Sequence, residues 1–441
     1  FCEQHSGMWE APQCADSGGH TAVRLHPSTI ARMHEGTNSE HPLLARYILG
    51  VMVRRIPISR RAQSISPFLA MEVFERAAEL QRSGRSIVHL EFGEPDLETP
   101  AVVVEAGIKA LRDGHTRYTH SLGRLELREA IVAWYRRRYG VDISPDCVVV
   151  TVGSSGAMLL TFAALLDPGS EVLMTDPHYA CYPKFVSAFE GIPVPVPVRE
   201  EDGFLLDPEA VEEKQSRQTR ALVLNSPANP TGAVTGPERM KELVRVTEGK
   251  AVIVSDEVYH GLEYEGEAHS ILEYSPDAIV INGFSKLFAM TGWRLGYAIL
   301  PESLIRPIQK LQQNLFISAP DFAQVAAIVA LTQTDDEILR RRKVYDRRRR
   351  LVLERLKQMG LQILAEPTGA FYVFVNIGRW NGSSLDFAFQ LLEKAGVAVT
   401  PGIDFGKQGE GFARISYANS EENIKEGLDR LESFLHAEER T

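Results

Sequence analysis

The chain has 441 residues, of which 44% are hydrophobic and 24% charged, a balance that permits a large buried core and excludes wholesale disorder. Its formal net charge of −10 argues against a general nucleic-acid binder, which needs a basic footprint. Cys2, Cys14, Cys147 and Cys181 are too few for a disulfide framework, and no apolar run reaches the ~18 residues of a membrane span.

Residues 1–51 contain His5, His20, His26, His34 and His41 and no lysine. They lack a basic stretch followed by an apolar core, so they do not read as an export signal. Cys2, His5, Cys14 and His20 fit no compact zinc spacing. The segment is expected to be a disordered or artefactual extension, with Met52 a plausible start. Without an export signal, and with sparse cysteines, the cytoplasm is the expected location.

From there ordinary patterning begins. Apolar Leu69, Val73, Ala77 and Leu80 recur every three or four residues, which predicts a helix over Phe68–Gln81. A strand over Ser86–Phe92 and the turn Gly93-Glu94-Pro95-Asp96 follow, then helices Pro100–Asp113 and Leu125–Tyr139, the latter stopped by Gly140. Seven short aliphatic runs come next: Cys147–Val152, Glu171–Thr175, Pro193–Val198, Ala221–Asn225, Ala251–Asp256, Ala278–Asn282 and Leu295–Leu300. Helical patterns such as Ala157–Leu166 and Pro237–Glu248 fall between them. Such alternation predicts an α/β layer with a mostly parallel seven-stranded sheet. Pro301 to about Met359 reads as long and helical, and its basic run Arg347–Arg350 reads as a solvated helix face. Strands near Phe371–Val375 and Phe412–Tyr417 and helices Leu385–Ala395 and Glu421–Ala437 complete the chain. The expectation is a large domain over 98–333 and a smaller α+β domain from both ends, 52–97 and 334–441.

Ligands of open α/β sheets bind beyond the carboxyl ends of the strands, so polar residues there are the candidates. Gly153-Ser154-Ser155-Gly156 sits between a strand and a helix. It suits a phosphate, through close backbone approach and free helix N–H groups, or is a plain capped turn. Asn225 to Gly232 holds two prolines and a glycine, which make a rigid loop with Asn229 held extended before Pro230, or an ordinary turn. Asp256 ends an apolar strand and needs a cationic or donor partner, unless it caps a helix. Lys286 and Arg294 lie in an otherwise apolar or small stretch, Asn282 to Tyr297. A lysine there is a candidate nucleophile and the arginine a phosphate fork, the alternative being two snorkelling surface cations. Arg414, in the alternating run Phe412 to Tyr417, suits a carboxylate clamp or a surface strand position.

In this order, from about Ile56 to the C-terminus, the segments resemble the pyridoxal-phosphate aminotransferases of fold type I, class I/II, related to aspartate aminotransferase. The most specific stretch opens Gly283-Phe284-Ser285-Lys286 and closes Gly292-Trp293-Arg294-Leu295-Gly296. Asn229-Pro230-Thr231-Gly232, Asp256 with Tyr259, Gly93-Glu94-Pro95-Asp96 and Tyr118-Thr119 with Gly123 and Leu127-Arg128 support it. The resemblance implies that Lys286 holds pyridoxal 5'-phosphate as a Schiff base and moves the substrate's α-proton. It implies that Asp256 keeps the ring nitrogen protonated and that Tyr259 and Asn229 donate to the phenolic oxygen. Ser154, Ser155, Gly156, Ser285 and Arg294 would hold the cofactor with Tyr179 stacked on its ring. Arg414 and the Gly93 backbone would take the substrate carboxylate, beside Tyr179 and Asn229. Tyr118 would reach the neighbouring phosphate in a homodimer.

The implied activity is transfer of an amino group from an L-amino acid to a 2-oxo acid, with 2-oxoglutarate the expected acceptor and no metal. Two departures bear on the substrate. Tyr179 stands where some members stack a tryptophan, and Ser155 where an aspartate-using subgroup has a lysine. The alternative enzyme is a lyase of the same fold, eliminating at the β-carbon or a C–S bond. A ligand-sensing regulator would need a basic module ahead of the domain, and residues 1–51 hold only Arg24, Arg32 and Arg46 as strong bases.

Overall fold

A computed structural model of the chain describes residues 56–378, 380 and 382–438. The readings made on residues 1–51, including the extension and the Cys2, His5, Cys14 and His20 set, lie outside them. From Arg60 onward the chain forms one compact unit, which is described below.

Its centre is the seven-stranded sheet. In chain order the strands are β2 (Val148–Thr151), β3 (Glu171–Asp176), β4 (Ile192–Pro197), β5 (Thr219–Asn225), β6 (Val252–Asp256), β7 (Ile279–Gly283) and β8 (Gly296–Ile299), after a short β1 (Val88–His89) elsewhere. They lie side by side as β2-β8-β7-β6-β5-β3-β4. All neighbours are parallel except at β8, which runs antiparallel to β2 and β7. Strands buried on both faces need unbroken apolar sequence, and β2 and β7 are buried throughout. Alternate residues serve different sides: Leu222, Leu224 and Val280 join one apolar core, Val223, Ile279 and Ile281 the other.

Helices cover both faces. Gly153–Leu165 is apolar nearly all round, because it is buried nearly all round. It begins four residues earlier than its apolar run suggests, so Gly153 to Gly156 form its first turn rather than a turn before it. Asp321–Gln333 lays the small residues Ala323, Ala326, Ala327 and Ala330 into the core and packs on Ala101–Arg112 and Leu125–Tyr139. The stretch after Pro301 is three helices, Glu302–Leu315, Asp321–Gln333 and Asp335–Gln358, broken near Ile317 and Pro320 and again at Thr334.

Residues from both ends of the chain build the smaller α+β part. Its strands β9 (Tyr372–Asn376), β10 (Val397–Ala398), β11 (Thr400–Pro401) and β12 (Phe412–Ser416) form an antiparallel sheet in the order β11-β12-β9, while β10 pairs in parallel with β1. The strand expected over Ser86–Phe92 is therefore only two residues long. Beyond it the Leu90 carbonyl accepts from Ser416 N–H at 2.7 Å and the Glu91 carbonyl from Arg414 at 2.5 Å, so single bonds replace a ladder.

The basic run corrects the reading of a solvated face. Arg347 and Arg350 are exposed, but Arg348 and Arg349 are buried. Arg348 donates to Asp96 at 2.8 Å, and Arg349 to Glu265 at 2.9 Å and the Pro367 carbonyl at 2.8 Å. Successive residues of a helix point about 100° apart, so four in a row cannot share one face. Arg341 of the same helix donates to the Glu98 carbonyl, so this helix fastens the segment that follows Gly93. Among the described residues no helix is long and apolar enough to cross a membrane.

Removing one partner of a mostly buried pair leaves a charge stranded. Arg348→Met should therefore lower stability by about 3 kcal/mol, whereas Arg347→Met should change it by less than about 0.5 kcal/mol. Chemical denaturation of the two variants measures both; equal effects would restore the solvated-face reading.

Candidate active site

The parallel strands end along one edge of the sheet, and their loops carry Ser154, Tyr179, Asn229, Asp256 and Lys286. Running the other way, β8 starts at that edge, which brings Arg294 to it from the opposite chain direction. Together with Gly93, Ser155, Tyr259, Ser285 and Arg414, these residues line one cavity of about 300 Å³. Gly156 shares the helix turn of Ser154 and Ser155 without lining the cavity. Tyr118 does not line it: its ring is 80% exposed.

Asp256 is buried at the end of β6. Its carboxylate accepts from the Tyr182 hydroxyl at 2.6 Å and from the Val258 N–H at 3.2 Å. The partners it requires are thus donors, and it caps no helix. Burial pushes it up to about 6, against the pull of these donors and of the Lys286 charge. Lys286, half-buried, donates to the Gly93 carbonyl at 2.6 Å. Burial, and after it the charge of Arg414, brings its amine down to about 8. An amine that loses its proton so near neutrality is a competent nucleophile.

Arg414 is buried, with its guanidinium 4.4 Å over the Tyr372 ring and 4.9 Å over the Phe405 ring. It donates to Asn229 Oδ1 at 2.9 Å, Thr400 Oγ1 at 3.1 Å and the Glu91 carbonyl, and its Nε has no partner. All of these acceptors are neutral. A buried cation without a carboxylate is matched to an anionic ligand.

The second cation is Arg294. It takes a left-handed backbone, φ 53°, unusual for a residue with a side chain, and donates to the Thr291 carbonyl at 2.9 Å. A Cβ on Gly153 would lie 2.7 Å from its Nη2, and one on Gly296 would lie 2.5 Å from Gly153 C and Ser154 N. Two glycines thus let a guanidinium and the start of a helix meet. The residue before that helix, Val152, offers no side-chain cap, so the first N–H groups and Arg294 form a cradle for an anion.

Around these lie residues that the sequence reading passed over. Asn225 accepts from the Asn229 N–H at 2.8 Å and donates to the Asp256 carbonyl at 3.0 Å, tying two loops together. Tyr372 shares a 2.7 Å hydrogen bond with the Tyr259 hydroxyl, and burial raises Tyr259 well above its ordinary value. Tyr182 stands three residues from Tyr179 in a string of similar residues, and nothing local tells which ring reaches the acid. Amine, buried acid, anion cradle and second guanidinium fit a phosphorylated heteroaromatic aldehyde with a basic ring nitrogen, beside a carboxylate substrate.

Comparison with known proteins agrees with this chemistry. The family model described as aminotransferase class I and II matches residues 85–431. The (5-formylfuran-3-yl)methyl phosphate transaminase of Methanocaldococcus jannaschii is 44% identical over 383 residues, 86% of this chain and 100% of that protein. The aspartate aminotransferase of Pyrococcus horikoshii is 40% identical over 390 residues, 87% of this chain and 99% of that one. A solved structure of Thermus thermophilus aspartate aminotransferase with maleate superposes with a TM-score of 0.82 at 41% identity, covering 86% and 99% of the two chains.

The amine at position 286 gives a test that needs no ligand. Labelling of Lys286 by trinitrobenzenesulfonate in the cofactor-free chain, followed by peptide mass, should rise with a midpoint near pH 8. A midpoint at ~10.4, the ordinary lysine value, would mean that burial does not perturb Lys286.

Proposed function

The chain belongs to the class I and II aminotransferases, enzymes that transfer amino groups, and we propose that it does so with pyridoxal 5'-phosphate held in the cavity around Lys286. One observation carries the reading: an amine brought down to about 8 lines the same cavity as a buried carboxylate and two guanidinium groups with no carboxylate partner among the described residues. No observation favours the eliminating lyase, and the relatives carry aminotransferase and transaminase names.

When bound, the cofactor supplies an electron sink for the pair released at the substrate's α-carbon. The chain's own residues do the rest. Lys286 would hold the cofactor through its amine and, once the substrate's amine has displaced it, would as the free amine take the proton from the substrate's α-carbon. Asp256, braced by Tyr182 and Val258, holds a proton on the ring nitrogen. Asn229 spends its amide oxygen on Arg414, which leaves its amide N–H groups to join the Tyr259 hydroxyl in donating to the ring's phenolic oxygen. Arg294, Ser154, Ser155 and Ser285 would hold the phosphate, with Gly156 completing the helix turn that carries the two serines, and Tyr179 would stack on the ring. Arg414 orients the substrate by its α-carboxylate, with the Gly93 backbone alongside. The proposal extends to a homodimer in which the exposed Tyr118 reaches the neighbouring phosphate. It also extends to a large domain over 98–333, with 52–97 and 334–441 forming the smaller one, and to the cytoplasm as location.

Purified protein should absorb in the visible with the cofactor bound, and the band should shift on adding an amino acid donor. Lys286→Ala should remove that band and lower turnover by about 10²–10⁴-fold or more; normal transamination by this variant would refute the assignment. Gly296→Ala pushes a methyl into the Ser154 N–H. It should weaken cofactor binding about tenfold or more through lost charge-assisted hydrogen bonds, as read by fluorescence titration.

A further inference from the structure

The cavity's charges limit what its substrate can carry. Its lining cations among the described residues are Lys286, Arg294 and Arg414. On the reading above, the first serves the amine, the second the phosphate and the third the α-carboxylate. Its lining also includes Glu91 and Glu94. Glu91 is fully buried; one carboxylate oxygen meets His89 Nδ1 at 2.7 Å and the other has no partner. Lys184, a further cation close by, does not line the cavity, and donates to the Pro67 carbonyl at 3.1 Å. Within this chain's part of the cavity a second carboxylate on the substrate would find acidic neighbours and no counter-charge among the described residues, and an unpaired anion is disfavoured in such a place.

Apolar groups line the cavity beside the arginine and the lysine. Phe92 lies between Glu91, whose carbonyl accepts from Arg414, and Gly93, whose carbonyl accepts from Lys286. A substrate bridging the arginine and the lysine by its carboxylate and amine therefore spans the backbone that carries Phe92. That ring lines the cavity and packs on Phe74, with centroids 5.0 Å apart. Phe68 lines it too, edge-on to Tyr179 at 6.3 Å. It is positioned by Asp404, which accepts from the Leu69 and Ala70 N–H groups at 3.0 and 3.1 Å. Met71 extends the same apolar wall.

We propose that this site takes L-amino acids with an uncharged, bulky apolar or aromatic side chain, and that Phe92 and Phe68 determine that specificity. The inference rests on the aminotransferase reading and narrows it. Donor and acceptor occupy the same groups in turn, so the acceptor falls under the same limit. A 2-oxo acid with one carboxylate is preferred, which moves the choice away from 2-oxoglutarate.

The test uses the full-length protein loaded with cofactor and two inert probes, 3-phenylpropanoate and succinate, titrated by calorimetry. The aromatic monocarboxylate should bind at least about tenfold tighter, the scale on which an apolar pocket discriminates; equal or tighter binding of succinate overturns the proposal. In rapid mixing, phenylalanine and leucine should change the bound-cofactor absorbance at least about tenfold more efficiently than aspartate. Aspartate reacting as well as phenylalanine sinks the substrate class and leaves transamination standing. Absence of any response to any of the twenty amino acids sinks both. Phe92→Ala should reduce the preference for phenylalanine over alanine about tenfold, and Phe92→Leu should restore part of it; an unchanged preference in Phe92→Ala removes Phe92 from the specificity role.

Discussion

Burial of charge without mutual neutralisation is the constraint on which the site depends. Asp256 and Lys286 line one cavity, yet each is braced by neutral groups rather than by the other: the acid by Tyr182 and Val258, the amine by the Gly93 carbonyl. Removal from water works against both charges, raising the acid and lowering the amine. Arg414 follows the same logic, with amide, hydroxyl and carbonyl acceptors but no carboxylate. Such an arrangement is costly for the protein alone. It makes chemical sense when a ligand completes the pairing.

The sheet supplies the rigid frame that tolerates this cost. Four adjacent parallel pairings set the loops after β3, β5, β6 and β7 along one edge. The antiparallel strand β8 then returns a guanidinium to that edge from the other direction. Gly296, at its first position, touches the turn at Gly153 and Ser154 so closely that a methyl group would not fit. Apolar cores on both faces hold the strands in place, so the polar groups at their ends have little freedom to drift apart.

The remaining side of the cavity comes from residues 88–93, which have little regular structure of their own. They are held from far along the chain: by β10, by Ser416, and by Arg414, 323 residues beyond Glu91. Further on, Arg348 grips Asp96 and Arg341 the Glu98 carbonyl. Long-range polar contacts thus position the backbone of Glu91, Phe92 and Gly93, which gives this side of the cavity its charge and its apolar wall.

Much of the frame was legible in order along the chain. Aliphatic runs of strand length marked all seven strands within a residue or two, because strands covered on both faces must be apolar throughout. The chemistry-bearing segments stood at their carboxyl ends, where Lys286, Asp256, Asn229 and Arg294 could be picked out as polar residues the core does not explain. Local pattern did not carry partnership. It could not distinguish Tyr182 from Tyr179 as the donor to Asp256, nor foresee that Asn229 and Arg414, 185 residues apart, would meet. It also read Arg348 and Arg349 as solvated, since a run of like charges does not say which members face inward. What the sequence by itself determined is the set of groups and the strand ends that bear them, because periodicity and glycine placement are local properties. Which groups meet, and at what cost in lost hydration, was decided by strand order and by the packing of the two chain ends, and these act between residues that no local period connects.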